Sequence, residues 1–256
     1  MLNDMISNCK LCLQIKNLRR SHIIPEFIYK PLYSSEHHKM IEIKEGLPGL
    51  LQKGYREELL CQDCENHLNV NFEHPSVEIW KTLTSQKASK TITVREVRDN
   101  QQNRALVFNG IDYSTFKLFL LSIIWRVSIS RHSYFQKVNL GPHEEKIRQM
   151  LLSINPGKHY DYPCIINLLS ESAFTPIYIP KESPRYEGHR SFRVLLTNVM
   201  IWYVISSHSE QADINGLAIK ENGSLVATML SPKKVALLRD AIDLAKNTDI
   251  PDYMFK

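Results

Sequence analysis

Two pairs of cysteines stand at a spacing that binds metal, Cys9-Lys-Leu-Cys12 and Cys61-Gln-Asp-Cys64. A C-x2-C pair presents two thiolates from one tight turn, and two such turns complete the tetrahedral all-sulfur shell that zinc prefers. The opening stretch MLNDMISNCKLC lacks the basic and apolar segments of a secretory signal. A reducing, cytoplasmic setting is therefore expected, in which the thiols escape disulfide formation and Cys9, Cys12, Cys61 and Cys64 take up a structural Zn2+. The fifth cysteine, Cys164, lies within the apolar run YPCIINLL and is expected in the core. Between Cys12 and Cys61 lie 48 residues with proline, glycine, the paired His37 and His38, and only short apolar runs. Such a segment is too polar and too interrupted to build a core alone, so the metal is expected to staple it.

The elements that must hold these residues follow from pattern. After the second knuckle, Leu68 and Phe72 recur at helical spacing, which predicts a short helix over 61–72 that ends before Pro75. TITVREV and RALVFNG alternate as half-buried strands across the polar DNQQN and predict a hairpin. From Asp112 onward, Phe116, Leu120, Ile123, Ile124 and Val127 share one helical face, with Asp112 or Ser114 as cap. A buried guanidinium is costly unless paired, so Arg126 within that helix is expected to meet a carboxylate or the helix's polar edge. GPHEEKIRQMLLSI predicts a second helix opened by Pro142. CIINLL, PIYIP, FRVLL, MIWYVIS, GLAIK and SLVATML predict antiparallel strands, with Glu221-Asn222-Gly223 as a hairpin turn, before a last helix over SPKKVALLRDAIDLAKN. Two units are expected: a zinc-binding unit over 1–75 and an α+β domain over 76–256 with its own core.

Composition narrows the class. Of 256 residues, 43% are hydrophobic and 23% charged, which excludes disordered, collagen-like and disulfide-scaffold chains. No apolar stretch approaches the roughly 20 residues of a membrane span, so no membrane partner is expected. The net charge of +5 permits a polyanionic partner without requiring one. Lys10, Lys16, Arg19 and Arg20 gather positive charge at the first knuckle and the following strand, and Lys16, Arg19 and Arg20 are the expected phosphate contacts. Lys181, Arg185, His189, Arg190 and Arg193 form a second basic group, read as a surface loop.

The order CxxC, then Ser21-His22-Ile23-Ile24-Pro25, then Leu60-Cys61-x-x-Cys64 opening the helix that carries Glu65, Asn66, His67 and Asn69, resembles the four-cysteine, zinc-bearing branch of the HNH endonucleases. The resemblance spans 9–74. It implies a treble-clef or ββα-metal unit; with the mixed α+β domain and central buried helix read from the downstream patterns, the whole chain is classed as α+β. It further implies that His22 is the general base, that Ser21 takes the place of the first metal ligand, and that Glu65 and Asn69 are the helix ligands of a catalytic Mg2+ or Mn2+. The chemistry is coherent with those residue types. A neutral imidazole can deprotonate water while a hard divalent ion stabilises charge on a phosphodiester, and two oxygen donors four residues apart share a helical face. Ser21 departs from the family's acidic or histidine ligand, and Glu57 and Glu58 stand where an asparagine is usual shortly before the second knuckle. Glu73 would add a carboxylate if the helix ran that far.

The expected activity is hydrolysis of nucleic acid, DNA before RNA, in a prokaryotic restriction or phage-defence setting implied by the resemblance alone. The C-terminal part is expected to position substrate, dimerise or contact a protein partner. The competing reading is a non-catalytic zinc finger that presents Arg19, Arg20 and its helix to nucleic acid or to a protein.

Overall fold

The computed structural model describes residues 6–33, 40–44, 47–170, 177–178, 183–186, 188–207 and 213–231. In the N-terminal part, β1 (Ile6–Asn8), β2 (Ile15–His22) and a later strand form a three-stranded antiparallel sheet. Pro25 ends the strand run and opens the one-turn helix α1 (Glu26–Tyr29). A separate hairpin of β3 (Met40–Lys44) and β4 (Leu47–Leu51) follows. The chain then returns as β5 (Arg56–Cys61), which pairs with β2 and closes the sheet in the order β1-β2-β5.

Cys61 caps α2 (Gln62–Leu68), and here the chain departs from the short helix expected to stop before Pro75. A π turn over Asn69–Glu73 leads directly into α3 (His74–Ser85). Proline in a helix interior lacks a donor and crowds the carbonyl four residues back, but it is tolerated in the first turn of a helix. The widened turn places Pro75 in such a first turn, and the run ends only at Gln86, a left-handed residue with φ of 57°.

The expected hairpin is present as β6 (Thr93–Arg98) and β7 (Arg104–Asn109). The buried helix is present as α4 (Tyr113–Ile129), capped by Asp112, which accepts from the Thr115 N–H at 2.8 Å. From Tyr113 to Val127 it is buried on nearly every face, apart from Ser114 and Thr115, so it lies inside the protein rather than on its surface. α5 (His143–Leu152) follows Pro142 as expected.

The remaining strands are β8 (Cys164–Leu169), β9 (Ile177–Tyr178), β10 (Ser183–Tyr186), β11 (His189–Leu196), β12 (Val199–Ile205) and β13 (Leu225–Leu230). With β6 and β7 they make one eight-stranded sheet in the order β10-β11-β12-β8-β13-β7-β6, with β9 on β11. The sheet is mixed rather than wholly antiparallel, because β13 runs parallel to β8. The turn at 221–223 forms, with Gly223 at φ of +78°, but GLAIK is no strand and makes only the single bridge Ala218 to Ile165. Both edges of β13 are already taken by β7 and β8, which leaves no ladder for a preceding hairpin arm. The expected helix beyond Ser231, His37, His38 and Lys181 lie outside the described residues.

α4 packs on the sheet through groups such as Tyr203, whose hydroxyl donates to the Leu120 carbonyl at 3.0 Å, and Cys164 is fully buried in the same layer. The buried apolar side chains on either side of residue 75 belong to one contiguous core. No described helix is long and apolar enough to cross a membrane.

Candidate metal centre and the adjoining cleft

The first knuckle is a turn between β1 and β2. Cys9 N–H donates to Gln14 O at 2.9 Å, Leu13 N–H returns to Cys9 O, and Leu13 itself adopts φ of 62° to close the loop. Lys10 N–H donates to Leu59 O and ties the knuckle to β5, where the second knuckle begins. The four sulfurs lie within 4.8 Å of one another, and Cys12 Sγ is 4.0 Å from Cys61 Sγ. A tetrahedral zinc with bonds of about 2.3 Å sets its sulfurs about 3.8 Å apart, whereas a disulfide needs about 2 Å. All four cysteines are free, and the Cys61 N–H donates to Cys9 Sγ at 3.3 Å, the kind of bond that stabilises a thiolate. Burial, reinforced by Cys9 and its fellow thiols, pushes the Cys64 thiol far above its ordinary range, so the crowded sulfurs favour either protons or a cation. The cluster is placed to hold a metal ion such as zinc. Among the described residues it is the one group of histidine, cysteine or acidic side chains drawn together this tightly.

Beside it opens a cleft of about 770 Å3 between the end of β2, α1 and the α2 to α3 run. The π turn aligns the helix side. In a regular helix of about 100° per residue, Glu73 would stand about 80° round from Glu65; the extra residue absorbed by a π turn takes back about 100°, leaving about 20°. Glu65, Asn69, Glu73 and Val77 accordingly all line the cleft. His74, absent from the expected ligands, lines it as well.

The strand side is shaped by a bulge. Leu18 pairs with Cys61 and Arg19 with Leu60, but Arg20 pairs with Glu58, so Leu59 is an extra residue on β5. Arg19, Arg20 and His22 all reach the cleft, which strict alternation along a strand would forbid for neighbours. Ser21 is buried behind them, where its hydroxyl accepts the Leu60 N–H at 3.2 Å and lies 3.3 Å from Arg19 O. Ser21 thus mends the hydrogen bonding at the bulge, and its hydroxyl lies close enough to Glu65 to pull that carboxyl's pKa down against burial. The guanidinium of Arg20 lies 3.7 Å from Glu58. Lys16 pairs with Asp63 at 2.8 Å on an exposed surface and is not among the cleft residues.

His22 Nε2 lies 2.8 Å from Arg56 Nε and 2.8 Å from Glu26 Oε2. One nitrogen cannot accept from the first and donate to the second. An arginine keeps its proton, so with Arg56 donating, Nε2 is the acceptor. Burial first, and the Arg56 charge second, hold the His22 pKa below its ordinary value, against the pull of Glu26. The consequence falls on Glu26: Oε1 accepts from Tyr33 at 2.8 Å, while the buried Oε2 makes no hydrogen bond and lies 3.8 Å from Arg56 Nη2. Glu65 Oε1 is likewise buried without a donor, and burial raises the Glu65 pKa despite Ser21 and Arg126 nearby. Glu73 is bound by Arg126 Nη1 at 2.7 Å, the carboxylate that the buried arginine was expected to find.

Other candidates lie elsewhere. Glu57 accepts from Ser130 Oγ and the Arg131 N–H at 2.8 and 2.9 Å, which commits it to the end of α4. His67 Nε2 meets Leu151 O at 2.8 Å, on the face away from Glu65. In the second basic group, Arg185 donates to Gly188 O, Arg190 to Asn139 O, and Arg193 lies 4.5 Å over the Trp202 ring. The sequence pattern missed Glu26 and Arg56. Their signals were present: Glu26 lies one turn after His22 beyond Pro25, and Arg56 sits opposite His22 in the strand register.

The chain matches no protein-family model, and no curated protein or solved structure matches it.

Proposed function

We propose that the protein is a metal-dependent endonuclease of the HNH type, hydrolysing phosphodiester bonds of nucleic acid, DNA before RNA, with its cysteine unit a treble clef around zinc. One observation carries this reading: a single cleft beside the cysteines gathers His22 from β2 with Glu65, Asn69 and Glu73 from the helix run, under a rim of Arg19, Arg20 and Lys30. Residues some 43 positions apart converge there with the donors that phosphate cleavage needs. His22 is held neutral, the state in which an imidazole takes a proton from water. A phosphate entering between the arginines competes for the Arg56 guanidinium, and its departure frees Nε2 to accept that proton.

The buried, donorless oxygens of Glu26 and Glu65 fit a hard cation. Glu65, Glu26 and Asn69 would hold Mg2+ or Mn2+, which when bound supplies charge stabilisation at the phosphate. Arg19 and Arg20 bind the backbone of the substrate, a contact that carries no sequence information.

Two observations favour the non-catalytic finger instead: Arg56 occupies Nε2 of His22, and the carboxylates are not drawn together as the cysteines are. Cleavage of plasmid, linear DNA and RNA with Mg2+ or Mn2+ separates the readings, comparing wild type with His22→Ala and Glu65→Ala at matched zinc content. A lost general base costs a factor of about 100 to 10,000 in rate. A wild type that binds nucleic acid and never cuts it makes the finger reading correct. A His22→Ala variant that cuts at the wild-type rate removes His22 as base.

A further inference from the structure

Arg126 lies in the middle of an otherwise apolar buried helix and is 1% exposed, yet each of its hydrogen bonds is directed. Nε and Nη2 bond back to the Ser122 carbonyl and hydroxyl, both at 3.2 Å, which fixes the guanidinium plane against its own helix. Nη1 then points out of α4 and donates to two acceptors: the His22 carbonyl at 3.0 Å and Glu73 Oε1 at 2.7 Å. Both belong to cleft residues, one on each wall. His22 is the last residue of β2, and its carbonyl is held from α4. Replacing a buried ion pair by apolar groups of similar volume is often neutral or stabilising, so stability alone does not call for an arginine here. A planar fork that joins two elements in fixed geometry does.

We propose that Arg126 is the positioning residue of the cleft, through which α4 in the C-terminal part of the chain holds the His22 main chain and the Glu73 carboxylate in working register. Its importance for hydrolysis rests on the reading of the cleft given above; the positioning itself does not. α4 is then a route by which events in the larger sheet reach the cleft, since the same helix is anchored to β12 through Tyr203.

The test uses the full-length, zinc-loaded protein as wild type, Arg126→Lys, Glu73→Gln and the double variant Arg126→Met with Glu73→Gln. Lysine keeps the charge and loses the fork, while the double variant removes both buried charges and avoids an orphaned carboxylate. The readouts are zinc content, urea unfolding, the His22 imidazole nitrogen signals assigned with His22→Ala, and kcat and KM for DNA with Mn2+. Arg126→Lys should keep its zinc, lose about 100-fold in kcat with KM changed by less than about threefold, and show shifted, broadened His22 signals. The double variant should show the same disturbance of His22 relative to Glu73→Gln alone, and it carries the test if Arg126→Lys fails to fold. His22 signals that superpose between the members of each pair would overturn the proposal and leave Arg126 as a charge partner for Glu73. A wild type that cuts no nucleic acid would overturn the hydrolytic reading, while the His22 signals would still decide the positioning.

Discussion

Removing the metal should cost the fold about as much free energy as a whole domain usually has. Four sulfurs within 4.8 Å, three of them buried, cannot all be thiolates without a cation, and a structural zinc of this type contributes on the order of 10 kcal/mol at neutral pH. Typical total stabilities are about 5–15 kcal/mol. The pH dependence follows with a definite sign. In the zinc-bound protein the thiol pKa values lie far below their unfolded values, so the stability is fully present above the unfolded thiol pKa and is lost as pH falls. Up to four protons compete with the ion, each contributing about 1.4 kcal/mol per pH unit, so a drop of about two units withdraws roughly 11 kcal/mol. That matches the whole contribution of the zinc, and release should be steep between about pH 7 and 5. The metal-free protein should behave oppositely. Burial raises the Cys64 thiol above its ordinary 9.0, so its stability falls as pH rises past that value. The assay is elemental analysis after dialysis across pH, paired with urea unfolding followed by circular dichroism, with and without chelator. Zinc retained down to pH 5, or a zinc-free protein with the stability of the loaded one, would refute the reasoning.

Lys117 is buried, with its ammonium bonded to the Tyr113 hydroxyl at 3.0 Å and to Lys158 O, and burial lowers its pKa from 10.5 to about 8. Because the folded value is depressed, the unfolded state binds more protons between those values. Stability should therefore rise by up to about 2 kcal/mol between pH 7 and 9.5, and Lys117→Met should flatten that rise in urea unfolding; identical slopes would contradict it. For nucleic acid, Lys16→Ala should leave affinity nearly unchanged because Lys16 is paired with Asp63 outside the cleft. Arg19→Ala and Arg20→Ala should each weaken binding across sequences and lower the salt slope by about one. Equal effects from all three would mean that the cleft is not the binding surface.

How much was legible in the sequence divides by physical range. The knuckles could be read because four thiols at fixed spacing have few stable fates, and Cys9, Cys12, Cys61 and Cys64 come together as a group that could hold a metal ion. The β6 to β7 hairpin and the Asp112-capped α4 were legible because alternation, polar turns and caps are local. Arg126 could be expected to find a carboxylate from the cost of burying it alone, but not which one. The passage of the helix through Pro75 was not legible, because a π turn has no composition of its own, and with it went the alignment of Glu73 beside Glu65. The bulge at Leu59 and the hydroxyl of Ser21 that mends it depend on register between strands 39 residues apart. Glu26 and Arg56 acquire meaning only once they meet His22 in space. The parallel pairing of β13 with β8 is a choice of topology that strand patterns do not encode.

The central claim is that the cleft takes a second, hard ion distinct from the one held by the thiols. Its most direct measurement is anomalous diffraction from zinc-loaded crystals soaked in Mn2+, with data at the manganese edge. The account predicts a manganese peak in the cleft against the Glu65 and Glu26 carboxylates, within reach of His22, and absent from Glu65→Ala crystals. Zinc at the four cysteines, with no manganese in the cleft at concentrations that saturate known hard-ion sites, would contradict it.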